Sequence, residues 1–287
     1  MTADFLQPGR SAGLLRRIYR RSPPAIIGGG LLVVLAFAAV AAPWLTPYAP
    51  ETMDFNAPLA GPSASHPFGT DNFGRDVLSR VLHGYRVSLA VAIGSVAMAL
   101  VVAIPLGLVA GYYQRWLDNV IMRPMDVIMA FPAIVLVVAM AGFFGQGLVL
   151  MMLALAIVYV PIIVRVMRGA ALGVAGELFV EGARARGASD LRIMVRHVLP
   201  NAITPVFVQA SVLMGIAILL EAALSFIGLG VEPPTPSLGL MLAEGRSFMG
   251  RAPWLVIAPG LAIVLAVLGF NLLGNGLPAL YGPRRGR

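Results

Sequence analysis

From Val127 to Val164 the chain carries no charged side chain. An uninterrupted α-helix of that run would be about 57 Å long at 1.5 Å per residue, nearly twice the ~30 Å hydrocarbon core of a bilayer. One crossing cannot absorb it. Gly142-Phe-Phe-Gly-Gln-Gly147 offers a turn in the middle, because glycine tolerates the backbone angles a tight reversal needs. Two spans are therefore expected, Pro124–Phe143 and Leu148–Met167. Hydrophobic residues make up 59% of the chain and charged residues 12%, about half the charge of a soluble domain.

Four more apolar runs are long enough to cross. They are Pro24–Ala42, Ser88–Tyr112, Ile203–Leu224 and Trp254–Leu277. The first follows Arg16, Arg17, Arg20 and Arg21 and ends near Ala39-Val40-Ala41, as a secretory signal would. Its apolar stretch exceeds the usual ~7–15 residues of a signal, so it is expected to be retained. The fold class is thus an all-α membrane protein with six transmembrane helices. Prolines 105, 132, 161, 205 and 259 fall in or near span ends, and membrane helices tolerate them where neighbours re-satisfy the freed carbonyls. The expected organisation is a tail over 1–23, a first helix over 24–42 and an external loop over 43–86. A five-helix core follows over 87–277, with a loop at 176–200 inside it, and then a tail over 278–287.

Six crossings put both termini on one side. If that side is cytoplasmic, it receives sixteen of the arginines, from Arg10 through Arg184 and Arg196 to Arg287, and the other side receives five, 75, 80, 86, 246 and 251. Basic residues concentrate in cytoplasmic loops, which sets the expected orientation with both termini cytoplasmic. All twenty-one bases are arginine. A P-loop needs a lysine to reach the terminal phosphates, so any ATP hydrolysis must belong to another chain. Cysteine is absent and the three histidines are scattered, which argues against disulfide, thiol and histidine-metal chemistry. The basic residues are not interleaved with aromatics, so no nucleic-acid surface is indicated. No catalytic constellation is present, and the chain is expected to be no enzyme by itself.

Between the fourth and fifth spans lies a charged island, Glu177 to Asn201, holding Glu177, Glu181, Arg184, Arg186, Asp190, Arg192 and Arg196. Its chemistry predicts two short helices. The first covers about Gly176–Arg186 and stops at Gly187, which accepts a left-handed C-terminal cap. Ser189 is placed to cap the second, with Asp190 in its first turn, favourably set against the helix dipole. Such a loop either enforces topology as a solvated basic segment or touches a partner in water.

Glu181-Gly182-Ala183-x-x-x-Gly187 with Leu199-Pro200 downstream resembles the "EAA" loop of bacterial ABC import permeases. His66-Pro-Phe-Gly-Thr-Asp71-x-x-Gly74-Arg75-Asp76-x-x-Ser79-Arg80 and Glu221-Ala-Ala-Leu-Ser-Phe-Ile-Gly-Leu-Gly230 with Pro233-Pro-Thr-Pro-Ser237 are similar to segments of the dipeptide, oligopeptide and nickel class, specifically its second permease chain. The resemblance implies a type I importer permease without a cofactor of its own. Its partners would be a second permease subunit, two ATPase subunits that bind ATP and magnesium, an external solute-binding protein and membrane lipid. It also implies that Glu181, Gly182, Ala183, Arg184, Gly187, Leu199 and Pro200 form a coupling element docked on an ATPase. Gly182 replaces the family's usual alanine, Leu238 its tryptophan, and Asn275 and Pro278 its C-terminal acid and arginine. The implied substrate is a di- or oligopeptide, with nickel chelates, glutathione or other small solutes as alternatives. A secondary transporter would show more buried acids.

Within the spans, Glu221, Gln209 and Asn271 are candidates for the translocation path. For Glu221 the other readings are an arginine partner, or an interfacial carboxylate that reaches water or caps a broken helix. For Gln209 and Asn271 the other reading is hydrogen bonding between helices. Arg123 and Asp126 are expected to pair at the inner surface. Asp71, Arg75, Asp76 and Arg80 suit a local salt-bridged helix or a contact with an external partner.

Overall fold

A computed structural model describes residues 22–231 and 234–281. Most of both expected tails, eight of the counted arginines and Pro233 of the proline run lie outside the described residues. Eleven α-helices are named here in chain order. They are α1 Pro23–Leu45, α2 Val77–Tyr113, α3 Arg115–Met129, α4 Ala133–Phe144, α5 Leu148–Ala175, α6 Leu178–Ala185, α7 Asp190–Ile193, α8 Leu199–Ala202, α9 Thr204–Phe226, α10 Leu238–Gly245 and α11 Trp254–Tyr281. A π-turn, Met194–Val198, joins α7 to α8.

Helices α1, α2, α5, α9 and α11 are each long and apolar enough to cross a membrane, and α3 with α4 makes a sixth candidate broken by a bend of 84°. The expected single span Pro124–Phe143 is therefore corrected. Pro132 has no N–H and stands at the N-cap of α4, and a proline restricts the residue before it to extended backbone. Alternating chain direction gives the bundle two ends. One, the loop end, carries residues 46–76 and 227–253, and the other carries the island.

The expected loop over 43–86 is also too long. Asp76 accepts hydrogen bonds from the Ser79 N–H (2.8 Å) and the Ser79 hydroxyl (2.7 Å), so α2 starts at Val77 and carries the charged stretch to Arg86 as helix. Side-chain capping of this kind satisfies an orphan amide and fixes the helix start.

Helix α1 packs on α11 through small residues. A Cβ on Gly28 would lie 2.6 Å from the Gly269 carbonyl oxygen, so the two backbones nearly touch there. Pro43 leaves the Ala39 carbonyl without its helical donor, and Arg86 of α2 supplies one from Nε at 2.6 Å. The first helix thus leans on α2 and α11, while Val33, Phe37 and Trp44 point outward. The core runs along the facing sides of α2, α5 and α9, around Val91, Leu155, Ile163, Leu213 and Ile218.

Candidate functional site

The island folds as two short helices with a turn between them. Helix α6 buries Val180 and Ala183 and exposes Leu178 (82%), Phe179, Glu181, Arg184 and Ala185. Gly187 adopts φ +78°. Its N–H donates to the Arg184 carbonyl (2.9 Å), and the Ala188 N–H reaches back to Ala183 (3.2 Å). That pattern closes the helix with a left-handed glycine. Ser189 stands at the N-cap of α7, but its side chain makes no capping bond. The start of α7 is held instead through Asp190.

Tyr112, at the end of α2, donates its hydroxyl hydrogen to Asp190 Oδ1 at 2.7 Å and accepts from Arg184 Nη2 at 3.2 Å. The Arg184 guanidinium also lies over the Tyr112 ring, 5.7 Å from its centroid. The bond to Tyr112 raises the already high Arg184 pKa. One phenol thereby ties both island helices to a membrane helix. Tyr112→Phe should loosen α6 and α7 by about 1 kcal/mol, seen as roughly fivefold faster hydrogen exchange over residues 178–193. Unchanged exchange would remove Tyr112 from this role.

Below α7 the chain widens into the π-turn, where the Leu199 N–H bonds to the Met194 carbonyl. Pro200 follows and offers no N–H to the preceding turn. π-turns insert one extra residue into a helix and recur at functional positions. Leu199 is half-buried and Pro200 exposed.

Near the loop end of α9, Glu221 is fully buried, and its carboxylate accepts from Ser88 (2.9 Å) and Ser225 (2.9 Å). Ser237 donates to Ser225 at 3.3 Å. The carboxylate joins α2 and α9 to the start of α10. Among the described residues it meets no arginine, and it is fully buried, so the readings of an arginine partner and of a carboxylate reaching water are corrected.

At the loop end, Asp71 Oδ2 accepts from Arg75 Nε (2.6 Å) and Arg80 Nη1 (2.6 Å). Arg80 also reaches Glu244 of α10 at 2.8 Å, and Arg75 reaches it at 3.3 Å. Asp76 holds the His66 Nδ1 at 3.0 Å. Asp71, Arg75, Asp76 and Arg80 are all buried, and only Arg80 lies within a helix, so they form an internal network and not a local salt-bridged helix. Among the described residues no cluster of acids and histidines could hold a metal ion.

A model of the binding-protein-dependent transport system inner membrane component matches residues 103–287, and one of the N-terminal transmembrane domain of oligopeptide transport permease C matches residues 13–62. The chain belongs to the first of these families. It is 43% identical over 257 residues to the dipeptide transport system permease protein DppC of Alkalihalophilus pseudofirmus, covering 89% of this chain and 84% of that one. It is 42% identical over 269 residues to the glutathione transport system permease protein GsiD of Pectobacterium atrosepticum, covering 93% and 89%. The solved MetNI methionine ABC transporter, in an inward-facing conformation, shares the fold at TM-score 0.59 and 20% identity, covering 68% of this chain and 93% of that one. This chain is a multi-pass ABC importer permease.

The permease's expected site residues separate into groups. Glu181, Gly182, Arg184 and Gly187 lie on or beside the outward face of the island, whereas Ala183 points inward at 1% exposure. Ala183 is too short to reach past its own helix once Val180 and Ala183 together face the bundle. Gly182 remains helical, so its cost of up to ~1 kcal/mol relative to alanine does not break α6. Asn271 Nδ2 donates to Val267 of its own helix at 3.0 Å, and Gln209 is half-buried on α9. Asp126 pairs with Arg165 of α5 at 2.6 Å and not with Arg123. Sequence reading missed Tyr112 and Glu244. Tyr112 sits at the last polar edge of a span, where an aromatic reads as a membrane anchor. Glu244 stands alone near the end of a short helix.

Proposed function

We propose that this permease is one of two membrane subunits of an ATP-driven importer of short peptides, with the 176–200 island as its docking element for a separate ATPase. The observation that carries this is the island's division of labour. It is anchored by Val180, Ala183 and the Tyr112–Asp190–Arg184 contacts, yet it exposes Leu178 at 82% and Leu191 at 68% among charges of both signs. Exposed apolar side chains grouped with charged ones mark an interaction surface. Leu178, Glu181, Arg184 and the Gly187 turn present that surface, Ala183 supports it from behind, and Leu199 and Pro200 connect it to α9.

ATP and magnesium are bound by the two ATPase subunits and no cofactor by this chain. Closure of the ATPases moves the island, and the bundle alternates between openings on the two faces, since packed helices switch between discrete arrangements. The other partners are the second permease and an external solute-binding protein that selects the substrate. The island and both termini face the cytoplasm of a bacterial inner membrane. Relatives named for dipeptides and for glutathione stand within one percentage point of each other in identity. Glutathione is itself a short peptide, so one substrate class covers both.

The test is uptake into vesicles holding the complete transporter. Glu181→Lys with Gly187→Asp should cut ATP-driven peptide uptake roughly tenfold or more, because reversing a buried interfacial charge costs ~2–5 kcal/mol. Unchanged uptake with intact assembly would refute the docking role. The ligand captured by the companion binding protein checks the peptide assignment independently.

A further inference from the structure

Between α1, α2 and α11, at the loop end, lies a cavity of about 550 Å³. Pro62, Pro67 and Phe68 of the 46–76 segment line it beside Leu35 and Ala38 of α1, and α11 lines it from Trp254 down to Leu265. Its wall offers a ligand no free side-chain polar group. The Tyr85 hydroxyl donates to the Ala262 carbonyl at 2.9 Å, and the Trp254 indole N–H donates to the Thr70 carbonyl at 3.1 Å. A polar solute would lose its hydration there with nothing in return. An apolar occupant loses nothing.

Depth and width choose among apolar occupants. Trp254 to Leu265 spans about 16 Å by helical rise, close to half of a ~30 Å hydrocarbon core. The groove therefore has the depth of one leaflet and begins at an indole of the kind that marks the membrane–water boundary. Spread over that depth, about 550 Å³ leaves a cross-section of roughly 35 Å², well below that of a partner helix ~10–12 Å across with its side chains. Arg251 is exposed two residues before Pro253, which lines the mouth, and makes no ion pair among the described residues. A cation at the open end of a leaflet-deep apolar slot matches a phosphodiester above an acyl chain.

We infer that this groove is a phospholipid site, holding one acyl chain between α1, α2 and α11 with its phosphate facing Arg251. It packs the first helix against the bundle at the level where α1 and α11 no longer meet backbone to backbone, above the Gly28–Gly269 contact.

The experiment places a photoreactive benzoylphenylalanine at Leu82, which lines the groove, in the full permease assembled with its partner subunits. The assembly sits in bilayers of phosphatidylethanolamine and phosphatidylglycerol. Irradiation should give a phospholipid adduct. Ala258→Phe and, separately, Ala38→Phe fill the groove and should each cut the adduct at least tenfold, while assembly with the partner subunits reports that the chain still folds. Arg251→Gln should lower the phosphatidylglycerol share of the adduct by about threefold. An adduct to the partner permease in place of lipid would overturn the proposal, as would lipid adducts of equal yield in the two filled variants.

Discussion

Asp71→Ala should destabilise the permease by about 3–5 kcal/mol, the usual cost of removing one partner from a buried ion pair. Four donors converge on this carboxylate. The N–H groups of Phe73 (2.8 Å) and Arg75 (2.9 Å) reach Oδ1, and Arg75 Nε and Arg80 Nη1, each at 2.6 Å, reach Oδ2. Arg80 is 2% exposed and would keep only Glu244, whose side chain is itself 28% exposed. Water cannot easily replace the lost partner, so a guanidinium charge stays buried and under-compensated. A large drop in the thermal midpoint of the purified complex checks this, and Asp71→Asn, which keeps one acceptor oxygen, should fall between. A loss below ~1 kcal/mol would place the network in the class of solvated surface pairs.

Gly107→Leu should be as damaging for a different reason. A Cβ at position 107 would stand 2.6 Å from the Met167 Cβ and 2.7 Å from the Val164 carbonyl oxygen, and one at Gly111 would stand 2.5 Å from the Arg168 carbonyl oxygen. Helices α2 and α5 therefore approach through two glycines one turn apart, the small-residue geometry by which membrane helices pack closely. The obstructing atoms are backbone and Cβ, which cannot swing aside as the tip of a long side chain can. Separating the helices gives up dispersion contacts along the whole seam. The expected cost is about 3 kcal/mol or more, the upper end of overpacking penalties, read as lost yield of folded complex. Gly173→Leu on α5 is the control, since nothing lies within 4 Å of its Cβ position, and it should be near neutral. Equal behaviour of the two variants would refute the packing argument.

The crossings were legible in sequence where hydrophobicity alone decides. Helices α1, α5, α9 and α11 begin or end within a few residues of the apolar runs, apart from the continuation of α5 past Arg165 and Arg168 to Ala175. Legibility failed where a helix is polar or a span is bent. Residues 77–86 carry two arginines and a histidine, so they read as loop, yet the Asp76 cap and the burial of Arg80 make them helix. The bend at Pro132 is invisible to hydropathy, because both arms stay apolar around it. In the island the glycine stop at Gly187 could be read from residue type, since only a left-handed cap uses it so readily. The inward turn of Ala183 could not, because short helices reveal which side is buried only through what they pack against. Glu221 shows the same limit. Its position within a span was visible, but the serines that bond it come from 133 residues before it and 4 after.

The bend between α3 and α4 has a consequence for what can surround this chain. Helix α4 has 12 residues, about 18 Å of rise, and its far end meets the start of α5 at the loop end. Its beginning therefore stops short of the opposite membrane surface, inside the ~30 Å slab. There the N–H groups of Ala133, Ile134 and Val135 have no helical partner, and Pro132 gives them no side-chain cap. Ile134 and Val135 are exposed on this chain. Unpaired backbone cannot face hydrocarbon. This stretch of wall is thus closed to lipid and must be wetted or covered by another chain. Because the permease has no cysteine, Ala130→Cys would report which through its reaction with a water-borne thiol reagent before and after assembly. Labelling in neither state would mean that lipid does lie against the bend.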